Sequence, residues 1–403
     1  MVNEVLRTDI PNDWDVITLG DYAQIFRGGS PRPIQAFLTT SDQGINWIKI
    51  GDVGAGEKFI ESTEEKIIPE GVSRSRMVYK GDLILSNSMS YGRPYIMNIE
   101  GCIHDGWLVI QKYDRLFNRE YLYYALSSDL TMQQYVAMAA GSSVRNLNKE
   151  KVSKVVLPCP KILEQKKIAE GLSSIDALIV DLQKLIRKKK DIRQGAMQML
   201  VTGKKRLPGY YADFEHFTIG ELGSLAKMSI NPCQEPKTIF DEYSMPAFDD
   251  EANPQQMLGE LMLSSRIKLT PNTLLFNKLN VRQRRVWLVK DCSNNSVCSS
   301  EFLPYKSEKI DLSFLKQLLL TDKVTKDFED MSSGTSNSQQ RITPSDFLKY
   351  EISIPSLEEQ RKIALILFDM DTEIQRLEEK LSKYQKVKQG MMEELLTGKV
   401  RLM

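Results

Sequence analysis

Metal and nucleophile chemistry has little to work with in this chain. Its 403 residues include only two histidines, His104 and His216, and five cysteines. Cys102 lies close to His104, and Cys292 lies close to Cys298, but neither pattern has the second ligand pair that a zinc site requires. Structural packing is the better reading of all of them. An Asn/Asp-Pro-Pro-aromatic motif for amino-group methylation is absent, because Asn231-Pro232 is followed by Cys233. Thr202-Gly203-Lys204 and Thr397-Gly398-Lys399 look like the end of a phosphate loop, yet the upstream glycine is replaced by Gln198 and Glu393. Side chains that grip rather than react are more plentiful. Asn277-Lys278-Leu279-Asn280-Val281-Arg282-Gln283-Arg284-Arg285 is the densest basic stretch outside the helices described next.

The elements that must position such residues are written twice. Glu164-Gln165-Lys166-Lys167-Ile168-Ala169 returns as Glu359-Gln360-Arg361-Lys362-Ile363-Ala364, shifted by 195 positions. The same offset carries Gln194-Gly195 to Gln389-Gly390 and Arg206-Leu207 to Arg401-Leu402 without insertion. A repeat this long implies two copies of one unit, each a variable body followed by a long helix. Residues 161–207 and 356–403 contain no proline. Apolar residues fall at Ile168, Leu172, Ile175, Ile179, Leu182 and Ile186 in one copy. In the other they are Ile363, Leu367, Met370, Ile374, Leu377, Leu381 and Tyr384. Alternating steps of four and three mark a coiled-coil seam rather than a helix lying on a broad core. Charges interrupt the frame at Lys189, Arg193 and Lys388 before it resumes at Ala196 and Leu200, or Met391 and Leu395.

Each helix is expected to run about 40 residues, roughly 60 Å, and to end on a C-cap glycine, Gly203 or Gly398. Two seams in one chain pack most simply against each other, antiparallel; homodimerisation through parallel coils is the alternative. The bodies share fewer phrases. Thr18-Leu19-Gly20-Asp21 and Thr218-Ile219-Gly220-Glu221 read as strand-like openings. Val78–Leu85 and Leu269–Phe276 read as a turn followed by a buried strand, and Tyr121–Leu126 and Phe314–Leu319 as amphipathic helices.

Composition bounds the rest. A hydrophobic content of 41% and a charged content of 27% suit a soluble globular protein of two or three domains. No apolar run reaches about eighteen residues, and the first residues lack a basic-then-apolar leader. With an odd number of cysteines, the expectation is reduced thiols in the cytoplasm. A net charge of +1 leaves any basic surface to be local.

Across essentially its full length the chain resembles the specificity subunit of type I restriction–modification systems. The resemblance is carried by Ile354-Pro355-Ser356-Leu357-Glu358-Glu359-Gln360-Arg361-Lys362-Ile363-Ala364 and by Leu395-Leu396-Thr397-Gly398-Lys399. Tyr243-Ser244-Met245-Pro246-Ala247-Phe248-Asp249 and Leu275-Phe276-Asn277-Lys278-Leu279-Asn280 are also similar to family phrases. The first copy departs in Lys161-Ile162-Leu163 before its Glu-Gln and in Cys159. The resemblance implies an α+β fold: two mixed α/β target-recognition domains separated by two long helices that form an antiparallel coiled coil, a pseudo-two-fold internal repeat. The expected bounds are 1–156 and 208–351 for the recognition domains, and 157–207 and 352–403 for the helical spacers.

It also implies a non-catalytic reader of double-stranded DNA with a bipartite target, one half-site per domain. Two methyltransferase (modification) subunits, which bind S-adenosylmethionine, would dock on the helices; restriction/translocase subunits, using ATP and Mg, would join them. No cofactor, metal or membrane is expected for this chain itself. The alternatives are a methylation-only complex, a coiled-coil structural protein without DNA, and an enzyme with an unrecognised site.

For DNA contact, Arg and Lys suit guanine while Asn and Gln suit adenine. The first body offers Arg27, Ser30, Arg32, Arg74, Arg76, Asn87, Ser90, Tyr91 and Arg93, then Ser143, Arg145 and Asn146. The second offers Asn277, Lys278, Asn280, Arg282, Gln283, Arg284 and Arg285, then Ser336, Asn337, Gln339, Gln340 and Arg341. The loops around Arg145 and Arg341 precede their helices at nearly equal distance, so they should be equivalent.

Overall fold

A computed structural model describes residues 10–54, 56–87, 91–139, 147–334 and 339–402. The chain divides into two compact units, residues 1–183 with 379–403, and residues 184–378. Each long helix contributes to both: Ile162–Val201 has 40 residues and Leu357–Thr397 has 41.

In the first unit, Asp15–Thr18 pairs antiparallel with Val156–Cys159, bringing the start of the body beside its end. Two five-stranded sheets lie between. One runs Gln24–Arg27, Trp107–Gln111, Leu83–Ser86, Pro94–Met97, Phe59–Ile60; the other runs Leu38–Thr39, Glu65–Ile67, Ile45–Ile48, Gly101–Ile103, Arg76–Val78. Leu83–Ser86 is buried along its whole length, so it reads as a continuous apolar run instead of an alternating one.

The second unit repeats this topology on different residues. Glu215–Thr218 pairs with Glu351–Ile354. A four-stranded sheet runs Ser224–Leu225, Phe302–Lys306, Thr273–Asn277, Val286–Val289, and a five-stranded one runs Ser229–Ile230, Arg266–Lys268, Ser296–Cys298, Ile239–Tyr243, Gln255–Leu258. Both units contain an internal parallel pairing at the same place, Gly101–Ile103 with Ile45–Ile48 and Ser296–Cys298 with Ile239–Tyr243, and the first unit adds a second at a sheet edge, Phe59–Ile60 with Pro94–Met97.

Two expectations need correction. The Thr-x-Gly-acid phrases are not strands but single helical turns, Leu19–Tyr22 and Ile219–Leu222, each directly after a strand. In the second, Thr218 and Glu221 exchange side-chain bonds to each other's backbone N–H, a capping box legible as Thr-x-x-Glu. The helix Arg119–Ser127 is not amphipathic, since Tyr121 through Leu126 are all buried. It is covered on more than one side: the Tyr121 hydroxyl donates to Pro158 O, and Tyr124 reaches Asp176 on the long helix.

Within each unit the long helices pair antiparallel, as rising numbers on one meet falling numbers on the other. Glu164 meets Arg401 and Asp176 meets Lys388 in the first unit. Lys189 meets Glu373, Arg193 meets Asp371 and Arg206 meets Glu359 in the second. Ile168 and Leu172 share a core with Leu395 and Leu396. Ile363 and Leu367 share one with Met197, Leu200 and Val201. Each such side chain contributes about 1.5–3 kcal/mol relative to exposure. Ile175, Leu182, Ile186 and Ile374 are buried; Ile179, Met370, Leu377, Leu381 and Tyr384 are half-buried. The helices end on Gly203 at φ +73° and Gly398 at φ +75°. A Cβ there would meet the Phe214 ring at 3.0 Å and Pro11 at 2.6 Å, so glycine is required twice over.

The repeated Glu-Gln acts alike in both copies. Gln165 Oε1 accepts the Asn118 N–H at 2.8 Å and Gln360 Oε1 accepts the Asp311 N–H at 2.9 Å. Their Nε2 groups donate to Pro160 O and Pro355 O. Asn118 and Asp311 cap the body helices Arg119–Ser127 and Leu312–Leu319, so each glutamine ties a body helix to the start of a long helix.

Candidate nucleic-acid interface

In the first unit the candidates converge on one turn. His104, Asp105 and Gly106 connect Gly101–Ile103 to Trp107–Gln111. Ser30 Oγ donates to Asp105 Oδ1 at 2.7 Å, and the Nη2 atoms of Arg27 and Arg32 each lie 3.9 Å from Oδ2. The Asp105 carbonyl accepts from Arg27 Nε and from Asn87 Nδ2, both at 2.9 Å. Arg76 Nε donates to Arg27 O at 2.8 Å, and its guanidinium lies over the Phe26 ring. The Ser30 hydroxyl, with smaller help from neighbouring charges, holds the Asp105 carboxyl below the usual carboxylate range. Two guanidiniums face this one carboxylate, with Arg76 bonded to the backbone beside them, so the cluster keeps a positive balance.

Not every candidate faces solvent. Arg27, Arg32, Arg74 and Arg93 are exposed, with Arg74 over the Phe37 ring. Tyr91 is half-buried, its hydroxyl donating to Tyr135 O. Asn87 is 2% exposed. Its side chain is committed to the turn, and its carbonyl accepts the Leu147 N–H. It is framework, because a side chain this deeply buried cannot reach a base edge.

The second unit differs in charge balance. Arg285 makes two 2.8 Å bonds to Asp249, and Arg284 bonds Asp322 at 2.6 Å. Arg282 pairs with Glu329 at 3.3 Å, and Arg341 makes two 3.2 Å bonds to Glu301. The Arg285 bonds hold Asp249 below the usual carboxylate range. The densest basic stretch is therefore neutralised by acids from elsewhere in the body. Asn280 and Arg284 take left-handed backbone conformations, φ +52° and +49°, around the short turn Val281–Gln283, which carries Gln283 on the surface. The Asn280 N–H donates to Gln340 O and the Ile342 N–H to Lys278 O, so this turn and the 339–342 segment are fastened together. Gln339 is exposed and Gln340 half-buried. Asn277, like Asn87, is 2% exposed and belongs to the framework. Ser90, Ser143, Arg145, Asn146, Ser336 and Asn337 lie outside the described residues.

No local sequence pattern marks the acids. Asp105, Glu301, Asp249 and Asp322 reach their arginines across separations of 36 to 78 residues, where no local pattern exists. Among the described residues no cluster of His, Cys, Asp and Glu could hold a metal, and no helix is long and apolar enough to cross a membrane. The thiols do not stand out as nucleophiles: burial pushes Cys159 up to about 11 and Cys298 up to about 12.

The profile described as type I restriction modification DNA specificity domain matches residues 11–193 and 286–388, well over half of the chain. The chain belongs to this family. The specificity subunit is also similar over nearly all its length to curated relatives from Methanocaldococcus jannaschii. It is 24% identical to the type I restriction enzyme MjaVIII specificity subunit, covering 98% of this chain and 94% of the relative. It is 25% identical to the putative MjaX specificity subunit, covering 98% and 95%. Among solved structures, the type I restriction–modification S subunit from M. genitalium has a TM-score of 0.59 at 13% identity, covering 96% of both chains. The HsdS subunit from Thermoanaerobacter tengcongensis has a TM-score of 0.50 at 16% identity, covering 97% and 98%. These likenesses agree with the fold: two mixed α/β bodies alternating with two long helices that pair antiparallel.

Proposed function

We propose that this specificity subunit reads a bipartite duplex target, one half-site through residues 1–156 and the other through residues 208–351, and catalyses nothing itself. Duplication at the level of contacts supports this most directly. The two bodies share few residues, yet each is fastened to a long helix by the same glutamine, beside the same Glu–Arg pair joining the start of that helix to the end of the other, Glu164–Arg401 and Glu359–Arg206. Such a frame keeps two variable readers in fixed relation to their helices while their loops differ. Arg27, Ser30, Arg32, Arg74, Arg76 and Arg93 are the contacts proposed for one half-site. Lys278, Asn280, Gln283, the paired arginines and the 339–341 segment are those for the other.

In this reading the helices carry two methyltransferase subunits, with S-adenosylmethionine bound there, and restriction subunits that use ATP and Mg complete a cytoplasmic complex. Base flipping belongs to the methyltransferase pocket. The test is to sequence adenine methylation in cells expressing the chain with its neighbouring methyltransferase. A split motif, with one methylated adenine on each strand, is the expected result. Methylation at a continuous motif, or none from a complex that co-purifies, would refute it.

A further inference from the structure

Both bodies place a carboxylate at the same point of the fold. Asp105 lies between Gly101–Ile103 and Trp107–Gln111, and Glu301 between Ser296–Cys298 and Phe302–Lys306. The flanking strands are topological equivalents: the first of each pair makes the internal parallel pairing, and the second pairs with Leu83–Ser86 or Thr273–Asn277. Local sequences differ, His-Asp-Gly against Ser-Ser-Glu, yet an acid recurs. What each acid holds also recurs. Asp105 takes Ser30 and faces Arg27 and Arg32, while Glu301 takes Arg341 through both oxygens.

We propose that Asp105 and Glu301 are positioning residues for sequence readout, each fixing the direction of the arginines beside it, Arg27 and Arg32 or Arg341, toward its own half-site. This rests on the proposed bipartite reading. The strands on either side are held by their own ladders, and both side chains are partly exposed, so neither acid is needed to build the core. Their bonds go to loops instead. A free arginine explores many rotamers, and a guanidinium fixed beforehand loses less freedom on meeting guanine's two acceptors. The arrangement does not serve simple phosphate attraction, for which an acid beside the arginines is a disadvantage. An acid that lowers general affinity while holding direction is suited to discrimination.

The test uses the full chain co-expressed with its methyltransferase, with Asp105→Asn and Glu301→Gln compared against the parent by methylation mapping. The parent must first give a split motif; if it does not, the bipartite reading fails, and this inference falls with it. Given that motif, Asp105→Asn is expected to raise methylation about ten-fold at sites with one wrong base in the first half, leaving the second half intact. Glu301→Gln is expected to do the converse. Asp105→Glu, which keeps the charge, should restore most of the discrimination. An unchanged motif, or equal relaxation of both halves, overturns the proposal. So does a variant that loses its thermal transition, because the acid is then structural. If an assembled variant methylates nothing, duplex binding decides. Lost discrimination among first-half bases supports the proposal, and retained discrimination overturns it.

Discussion

Replacing Gln165 with leucine tests the frame at its most economical point. The side chain is fully buried. It accepts the Asn118 N–H at 2.8 Å and donates to Leu116 O at 3.0 Å and Pro160 O at 2.9 Å. Leucine fills nearly the same volume, so the cavity left is small and the loss is one of hydrogen bonds. The orphaned N–H costs about 1–3 kcal/mol, and each carbonyl loses a bond worth about 0.5–1.5 kcal/mol, giving roughly 3–4 kcal/mol. Gln360→Leu removes two bonds, to Asp311 N–H and Pro355 O, and should cost about 2–3 kcal/mol. A unit of this size loses about 2–4 °C per kcal/mol, so Gln165→Leu should lower its transition by about 6–16 °C. Calorimetry reads the transition, and hydrogen exchange over 116–127 identifies the unit that opened. The control is Gln385→Leu, exposed on the second long helix. A shift for Gln165→Leu no larger than the control's, or exchange that rises equally in 311–319, refutes the reasoning.

The double variant Arg284→Ala, Arg285→Ala should weaken duplex binding by the assembled enzyme and reduce its salt slope by about 1–2. An unchanged slope would show that both guanidiniums stay with Asp322 and Asp249 when DNA binds. Inserting seven residues at equivalent points of both long helices adds about 10 Å of helix and should lengthen the spacer by roughly 3 base pairs without altering either half-sequence. A methylation map with the old spacer defeats that expectation. His104 gives a pH dependence. Its Nε2 faces the Ile50 N–H and its Nδ1 the Gly106 N–H, and burial, opposed by Asp105, keeps its pKa below the ordinary histidine value. The unfolded chain therefore binds this proton more readily, and stability present above about pH 6.5 should fall as pH drops below it. Urea midpoints of the parent and His104→Gln that keep the same slope from pH 7 to 5 would remove His104 as the cause.

The sequence made the helices legible because their signal is periodic and repeated. Apolar residues at alternating steps of four and three, with Gly203 and Gly398 as terminators, leave few other solutions. The bodies were legible only where a local rule applied. Leu83–Ser86 and Thr273–Asn277 stand out as apolar runs after a turn, whereas Thr218-Ile219-Gly220-Glu221 looked like a strand because its capping box was overlooked. Asn87 and Asn277 were chosen by residue type, and type says nothing of burial. Glu164-Gln165 and Glu359-Gln360 were visible as a repeat without revealing their role, since Asn118, Asp311, Arg401 and Arg206 lie 47 to 237 residues away.

The charges that interrupt the apolar frame explain why the helices pair in one register. An antiparallel seam of Ile and Leu alone could slip by a heptad and bury nearly as much surface. Arg193 and Lys388 occupy equivalent places, 195 apart, and so do their partners Asp371 and Asp176. Each pair also engages its own body. Arg193 Nη2 donates to Gln317 at 2.7 Å, and the Tyr124 hydroxyl donates to Asp176 at 2.6 Å. Gln317 and Tyr124 hold the same position on the equivalent body helices, six residues beyond Asp311 and Asn118. A slipped seam would leave Arg193 or Lys388 against apolar side chains with its acid displaced, at a desolvation cost that apolar contact alone could not recover. The same slip would pull Gln317 and Tyr124 from their partners. Register of the helices and seating of each body on them are thus one condition, met once in each unit at equivalent positions of the two copies.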